Sequence, residues 1–101
     1  MDQKQALIAK MLEVQHIFEK QPDETSKMVV SKIKEAVDKL ANKRIQGTNI
    51  APQVQPISSF VRDQMLDHQY QLTLEQRTAL FDMEGMAQAI ANKFVSGIPS
   101  F

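Results

Sequence analysis

Two histidines are the side chains of this chain best suited to proton transfer or metal binding near neutral pH. His16 and His68 lie far apart, and neither has a second histidine at the short spacing that metal sites use. The chain also contains no cysteine, so thiolate ligands and disulfide bonds are excluded. We therefore expect both histidines to be surface or boundary residues, with no bound metal and no cofactor.

The hydroxyl and carboxylate side chains are not spaced for catalysis either. Ser58 and Ser59 fall inside a helical pattern, not in the strand-to-helix turn that exposes a nucleophilic serine. Asp82 and Glu84 are two residues apart, which places them on different faces of a helix. The three glycines are isolated and cannot form a phosphate-binding loop. We expect no catalytic residue, because an enzyme would need a pocket that the sequence does not reveal.

The charge balance argues against a nucleic-acid partner. Twelve basic and twelve acidic residues give the 101-residue chain a formal net charge of zero, whereas nucleic-acid-binding domains usually carry a basic excess. A small basic excess in residues 1–46 favours an anionic surface only weakly. There is no apolar run of signal-peptide or membrane-span length. We expect a cytoplasmic protein, with part of it at the membrane surface.

The longest helical pattern lies near the C-terminus and is the one on which the other elements would pack. Thr73 is a good N-cap, and Gln76 stands three residues further on, as a capping box requires. Behind this start, apolar residues recur in steps of three and four, which predicts one buried stripe. The stripe consists of Leu80, Met83, Ala87, Ile90 and Phe94.

Three amphipathic patterns precede this helix and predict an all-α fold. Gly47 is the expected end signal of the second, and Pro52 or Pro56 is the expected start of the third. Short connections between consecutive helices favour one domain with an antiparallel, up-and-down four-helix bundle. A short irregular tail follows, because Gly97 and Pro99 stop the last helix. The predicted helices span residues 3–20, 24–44, 53–69 and 73–95, and the tail spans residues 96–101.

The same periodicity predicts which side chains form the core. Ile33, Phe60, Leu80 and Ile90 are expected to be buried, and three methionines are expected to fill gaps between helices. Those methionines are Met11, Met65 and Met83. The expected inner face of the third helix comprises Val54, Ile57, Phe60, Val61, Met65 and Leu66.

The order of these signals is similar to that of a known family. A lysine-rich second helix is followed by a linker with Gly47, Thr48, Asn49 and Pro52, then by the helix PISSFVRDQM and the helix start LTLEQRTALFDM. This order resembles the immunity proteins of pediocin-like bacteriocins, the enterocin A immunity family of lactic acid bacteria. The resemblance covers most of the chain and is strongest from Gly47 to Met83.

The resemblance implies a fold, a function and a partner. Members of that family are cytosolic antiparallel four-helix bundles without enzymatic activity, and they protect a producing cell from its own bacteriocin. The toxin uses the membrane subunits of the mannose phosphotransferase permease as its receptor. The immunity protein is thought to bind the toxin-bound permease from the cytoplasmic side and to keep the pore shut. The C-terminal half carries toxin specificity in the family, which corresponds here to residues 72–101.

Two surfaces are candidates for binding such a partner. The first is the exposed side of the fourth helix together with the tail, and the second is the lysine face of the second helix, which suits anionic lipid headgroups. The candidate residues are Phe94, Ile98 and Phe101 on the first surface and Lys32, Lys39 and Lys43 on the second. We expect a monomer.

A different function fits the same pattern of residues. The chain would then be a non-enzymatic helical adaptor or assembly protein that self-associates through its C-terminal helix and tail. This chain also lacks the strong basicity of many members of the immunity family, and the spacing between its third and fourth helices differs from that of some. The particular toxin therefore stays unassigned.

Overall fold

The first two helices each begin at an aspartate that caps the backbone. In this computed structural model, which describes residues 2–96 and the side chains of residues 2–93, α1 spans Gln3–Glu19 and α2 spans Glu24–Leu40. The Asp2 carboxylate accepts a hydrogen bond from the Gln5 N–H at 2.7 Å, and Asp23 accepts one from the Ser26 N–H at 2.9 Å. These caps satisfy amide groups that have no partner inside the helix.

The third helix has a proline in its first turn, and the fourth begins with a capping box. Two short 3₁₀ turns, Gly47–Asn49 and Ala51–Gln53, lead into α3 at Gln55–Asp67, with Pro56 in its first turn. The last helix, α4, spans Leu74–Ser96. Thr73 Oγ1 accepts from the Gln76 N–H, and Gln76 Oε1 accepts from the Thr73 N–H, both at 3.0 Å. The predicted capping box is confirmed.

The four helices form the expected bundle, with α1 between α2 and α4. No strand occurs within residues 2–96. The closest packing is between α1 and α2 and between α1 and α4, while α3 packs mainly on α2 and the 3₁₀ turns pack on α4. The buried stripes of the three tightly packed helices are Leu7, Met11, Val14 and Phe18 on α1; Val29, Ile33, Ala36 and Leu40 on α2; and Ala79, Leu80, Met83, Ala87 and Ile90 on α4.

The second helix ends four residues before the predicted boundary at residue 44, at Leu40. The chain then turns, and the Asn42 carbonyl accepts a hydrogen bond at 2.9 Å from the buried Lys4 ammonium of α1. This distant cation satisfies a carbonyl near the negative end of the helix dipole. Gly47 is therefore not the stop signal of α2. Gly47, whose φ is 59°, is instead the first residue of the first 3₁₀ turn.

The third helix buries less of its apolar face than the periodicity predicts. Ile57 and Val61 are buried, but Phe60 is only half-buried, with the Lys32 ammonium 4.9 Å from the centre of its ring. Met65 and Leu66 were expected on the inner face and are exposed. The reason is that, among the described elements, α3 packs mainly on α2 and does not pack closely on α4.

Candidate binding groove

An open groove runs between α3 and α4. These helices are consecutive in the chain, but they do not pack closely on each other along their lengths. The space between them has a volume of about 280 Å³, just below the range of about 300–1,000 Å³ seen for small-molecule sites. It is lined by Ser58, Val61, Arg62, Met65, Leu66, Leu72, Arg77, Leu80, Phe81 and Glu84.

The groove has a buried base and exposed apolar walls. Val61 of α3 and Leu80 of α4 are nearly inaccessible and belong to the core. Above them, Leu66 is 74% exposed and Phe81 is 66% exposed. Single exposed apolar side chains are common, but a contiguous group around a concave surface is typical of a binding site. The groove is therefore the strongest candidate interaction site within residues 2–93.

Charged side chains lie at the edges of this apolar surface. Arg62 stands on α3, and Arg77 and Glu84 stand on α4. Within the part of the chain whose side chains are described, neither arginine has a carboxylate within ion-pair distance. Among the described side chains, both guanidinium groups are thus available to an acidic partner.

A more polar section of about 210 Å³ continues the groove towards the start of α3. It shares Ser58, Arg62 and Glu84 with the apolar section, so the two sections form one trough. Its other polar side chains are Gln55, Ser59 and Gln88. The trough therefore changes from apolar, near the connection between α3 and α4, to polar at its other end.

The connection between α3 and α4, residues 68–73, contributes Leu72 to the apolar lining of the groove. The Gln64 carbonyl accepts hydrogen bonds from the His68 N–H at 3.0 Å and from the Tyr70 N–H at 3.1 Å. Gln69, between these two donors, has a φ of 55°. This left-handed conformation is uncommon for a residue other than glycine and reverses the chain direction sharply.

A buried hydroxyl anchors this connection to α2. Ser26 Oγ donates to Asp23 Oδ1 at 2.9 Å and accepts from Gln76 Nε2 at 3.3 Å. Because a hydroxyl carries one proton, its contact of 2.8 Å with the Tyr70 hydroxyl makes Tyr70 the donor. Ser26 is completely buried, so its single hydroxyl joins the start of α2, the connection and the start of α4.

The ionisation of two groups follows from this network. Burial alone would raise the pKa of Asp23, but the hydrogen bonds from the Ser26 N–H and hydroxyl outweigh it, so the pKa lies below its ordinary value. Burial raises the pKa of Tyr70, and the nearby negative charge of Asp23 acts in the same direction. At neutral pH the network therefore contains a carboxylate and a protonated phenol.

The candidate lysines of α2 have different surroundings. Lys32 is half-buried with its ammonium over the Phe60 ring, whereas Lys39 and Lys43 are exposed. Lys32 and Lys39 are two helical turns apart and share a face, but Lys43 lies in the turn after the helix. On the other candidate surface, the backbone of Phe94 belongs to α4, but its side chain lies outside the described ones. Ile98 and Phe101 lie outside the described residues altogether.

The groups considered for catalysis or metal binding do not converge. His16 and His68 are both exposed, and His16 is 3.9 Å from Glu19 on its own helix. Residues 2–96 contain no group of three histidine, cysteine or acidic side chains positioned to hold a metal ion. Asp82 is 4.0 Å from Lys10 of α1, while Glu84 lines the groove. The expectation that these two carboxylates occupy different faces is confirmed.

The sequence did not single out the side chains that line the groove. For Phe81, the signal was its position next to the predicted core stripe and not on it. An aromatic side chain at such a position is exposed unless another element covers it. Arg62 and Arg77 carried no signal, since isolated arginines on helices are usually solvated. Met65 and Leu66 fitted the core periodicity of α3 and were assigned to the core.

Comparisons with protein-family models, curated proteins and solved structures find no match to this chain. Within the described residues, every helix is too short or too polar to span a lipid bilayer.

Proposed function

We propose that this protein is a non-enzymatic binding protein that protects a bacterial cell from a pediocin-like bacteriocin. In this proposal, it acts from the cytoplasm on the toxin-bound membrane subunits of the mannose phosphotransferase permease and blocks the pore. The resemblance of residues 47–83 to the immunity family motivates the choice of partner. The four-helix bundle is the architecture that such a function would use.

The open groove between α3 and α4 is the observation that supports binding. Burial of an apolar side chain stabilises a complex, and the exposed walls of the groove offer several such side chains next to each other. One wall of the groove, from Leu72 to Glu84, lies within residues 72–101, to which the resemblance assigns toxin specificity. We therefore propose that the groove contacts the toxin–receptor complex.

The proposal is tested by expressing the chain in a sensitive bacterium and challenging the cells with a panel of pediocin-like toxins. We expect protection against at least one toxin and its loss in Phe81→Ala, which removes a groove wall. Leu12→Ala is the matched control, because Leu12 is 48% exposed on α1, away from the groove. Sensitivity to every toxin in the panel, at confirmed expression, would contradict the proposal.

The lysine face and the C-terminal segment can be separated from the groove in the same assay. Lys39→Glu tests the exposed face of α2, and deletion of residues 97–101 tests Ile98 and Phe101. If the Phe81→Ala variant protects fully and deletion of residues 97–101 abolishes protection, the partner is recognised by the C-terminal segment and not by the groove.

Self-association is the second candidate function, because α4 exposes a second large apolar residue. Leu74 is 76% exposed and lies two helical turns before Phe81. A helical adaptor that assembles through α4 would bury both residues against another copy. Sedimentation equilibrium over a range of concentrations tests this candidate, which predicts a dimer that Leu74→Ala and Phe81→Ala both weaken.

A further inference from the structure

We propose that the groove between α3 and α4 takes an amphipathic α-helix of another protein whose apolar stripe is flanked by acidic side chains. This inference deepens the proposed binding function, because it names the chemistry of the partner at that site. It rests on the shape of the groove, on the position of its apolar walls and on two arginines without carboxylate partners in the described part of the chain.

The shape of the groove favours a helix over a small molecule. The two sections are both open to solvent and form one trough between two helices. A helix packs on its neighbours at interaxial distances of about 8–10 Å and presents side chains at i, i+3, i+4 and i+7. A partner helix lying along the trough would contact both walls and cover Met65, Leu66 and Phe81 together.

The charges favour an acidic partner. Arg62 and Arg77 stand on opposite walls, so carboxylates on both sides of an apolar stripe would each meet a guanidinium. Glu84 lines both sections of the trough and lies about 10 Å beyond Arg77 along α4, at 1.5 Å per residue. A partner would therefore place its acidic residues next to Arg62 and Arg77 and a neutral or basic residue next to Glu84.

A membrane surface fits the same groove less well. Binding to anionic lipid depends on a cluster of basic residues on a surface that can lie flat on the bilayer. Here the apolar side chains lie in a concave trough between two helices, which a flat bilayer surface does not fill. The geometry therefore points to a protein helix.

The test uses two synthetic helical peptides with the same leucine stripe, one flanked by glutamate and the other by lysine. Fluorescence anisotropy with the full chain at low salt should show tighter binding of the glutamate peptide, by about two- to thirty-fold for two exposed ion pairs. Arg62→Glu combined with Arg77→Glu should reverse that preference. Arg44→Glu is the matched control, because Arg44 is exposed in the turn after α2 and outside the groove.

Phe81→Ala should weaken both peptides, because it removes an apolar wall without changing charge. The inference is overturned if neither peptide binds, if both bind equally, or if Arg44→Glu reverses the preference as well. If the glutamate peptide does not bind, two other results would each replace the inference. Binding to phosphatidylglycerol vesicles that Phe81→Ala weakens would favour a membrane. Dimers in sedimentation that Phe81→Ala weakens would favour a second copy of the chain. Since the peptides are measured in vitro, a failure here is distinguishable from a failure of the protection assay.

Discussion

The hydroxyl of Tyr70 donates a hydrogen bond of 2.8 Å to the buried hydroxyl of Ser26, 44 residues earlier in the chain. The same Ser26 oxygen donates to Asp23 and accepts from the Gln76 amide. The connection that carries Leu72 into the groove is thus held by the N-terminal turn of α2 and not only by α3 and α4. The position of the groove walls therefore depends on a helix that does not line them.

The first prediction concerns the relative cost of removing the two hydroxyls. Ser26→Ala leaves a donor of the nearly inaccessible Gln76 amide without its partner, so it should cost about 1–3 kcal/mol. Tyr70→Phe leaves the other bonds of Ser26 in place and should cost only about 0.5–1.5 kcal/mol. Urea unfolding measures both values, with Ser31→Ala on the exposed face of α2 as the control. A larger cost for Tyr70→Phe would contradict this view of Ser26 as the centre of the network.

The second prediction is a loss of stability at both extremes of pH. The pKa of Asp23 is lowered by folding, so its contribution is present above its unfolded pKa of about 3.9 and is lost as pH falls through the folded pKa. The pKa of Tyr70 is raised by folding, so its contribution is present below about pH 10 and is lost as pH rises through the folded pKa.

Two variants isolate these contributions. Asp23→Asn keeps a good N-cap but removes the charge, so the stability gap to the wild type should narrow as the pH falls below about 4. The gap between Tyr70→Phe and the wild type should narrow above about pH 10. Chemical denaturation across the pH range measures both gaps, and Asp38→Asn on the exposed surface of α2 is the control. If neither stability gap changes with pH, Asp23 and Tyr70 do not cause the loss of stability at the extremes of pH.

The third prediction is that Gly85→Ala stabilises the protein. Gly85 lies within α4, and a Cβ added there would meet no atom within 4 Å. Alanine should therefore raise the free energy of unfolding by about 0.5–1 kcal/mol through its higher helix propensity. Gly47→Ala is the opposite control, because its φ of 59° should make that substitution destabilising. Thermal unfolding followed by circular dichroism measures both, and a destabilised Gly85→Ala variant would reveal a role for this glycine beyond helix propensity.

The fourth prediction compares two leucines that line the groove. Leu80 is 5% exposed, so Leu80→Ala should cost about 2–5 kcal/mol. Leu66 faces solvent on the wall of the same groove, so Leu66→Ala should change stability by no more than about 0.5 kcal/mol. Equilibrium unfolding in urea measures both costs. Similar costs at the two positions would mean that the groove is closed in solution.

Local signals in the sequence accounted for much of the fold. The capping box of Thr73 and Gln76 depends on atoms three residues apart, and the structure contains both of its hydrogen bonds. The stripe from Leu80 to Ile90 repeats at the helical period, and those side chains are buried. Interactions between near neighbours in the chain are readable from the sequence, because helix geometry alone brings these residues together.

The second helix shows where local signals were insufficient. Ala41, Asn42 and Lys43 are all tolerated in a helix, so nothing in their types predicted that α2 ends at Leu40. The Asn42 carbonyl is instead bonded by Lys4, 38 residues earlier, which only packing of α1 on α2 brings within reach. The additional role of Gln76 as a partner of Ser26 has the same origin, since 50 residues separate the two.

The groove itself was decided by tertiary structure alone. The sequence determined that α3 has an apolar face with Met65 and Leu66 on it, because periodicity assigns residues to a face. Whether that face is covered depends on the distance between α3 and α4, which the packing of α3 on α2, the 3₁₀ turns and the anchor at Ser26 set together. These contacts join distant parts of the chain, so the same apolar pattern is compatible with a closed bundle or with the open groove that this protein has.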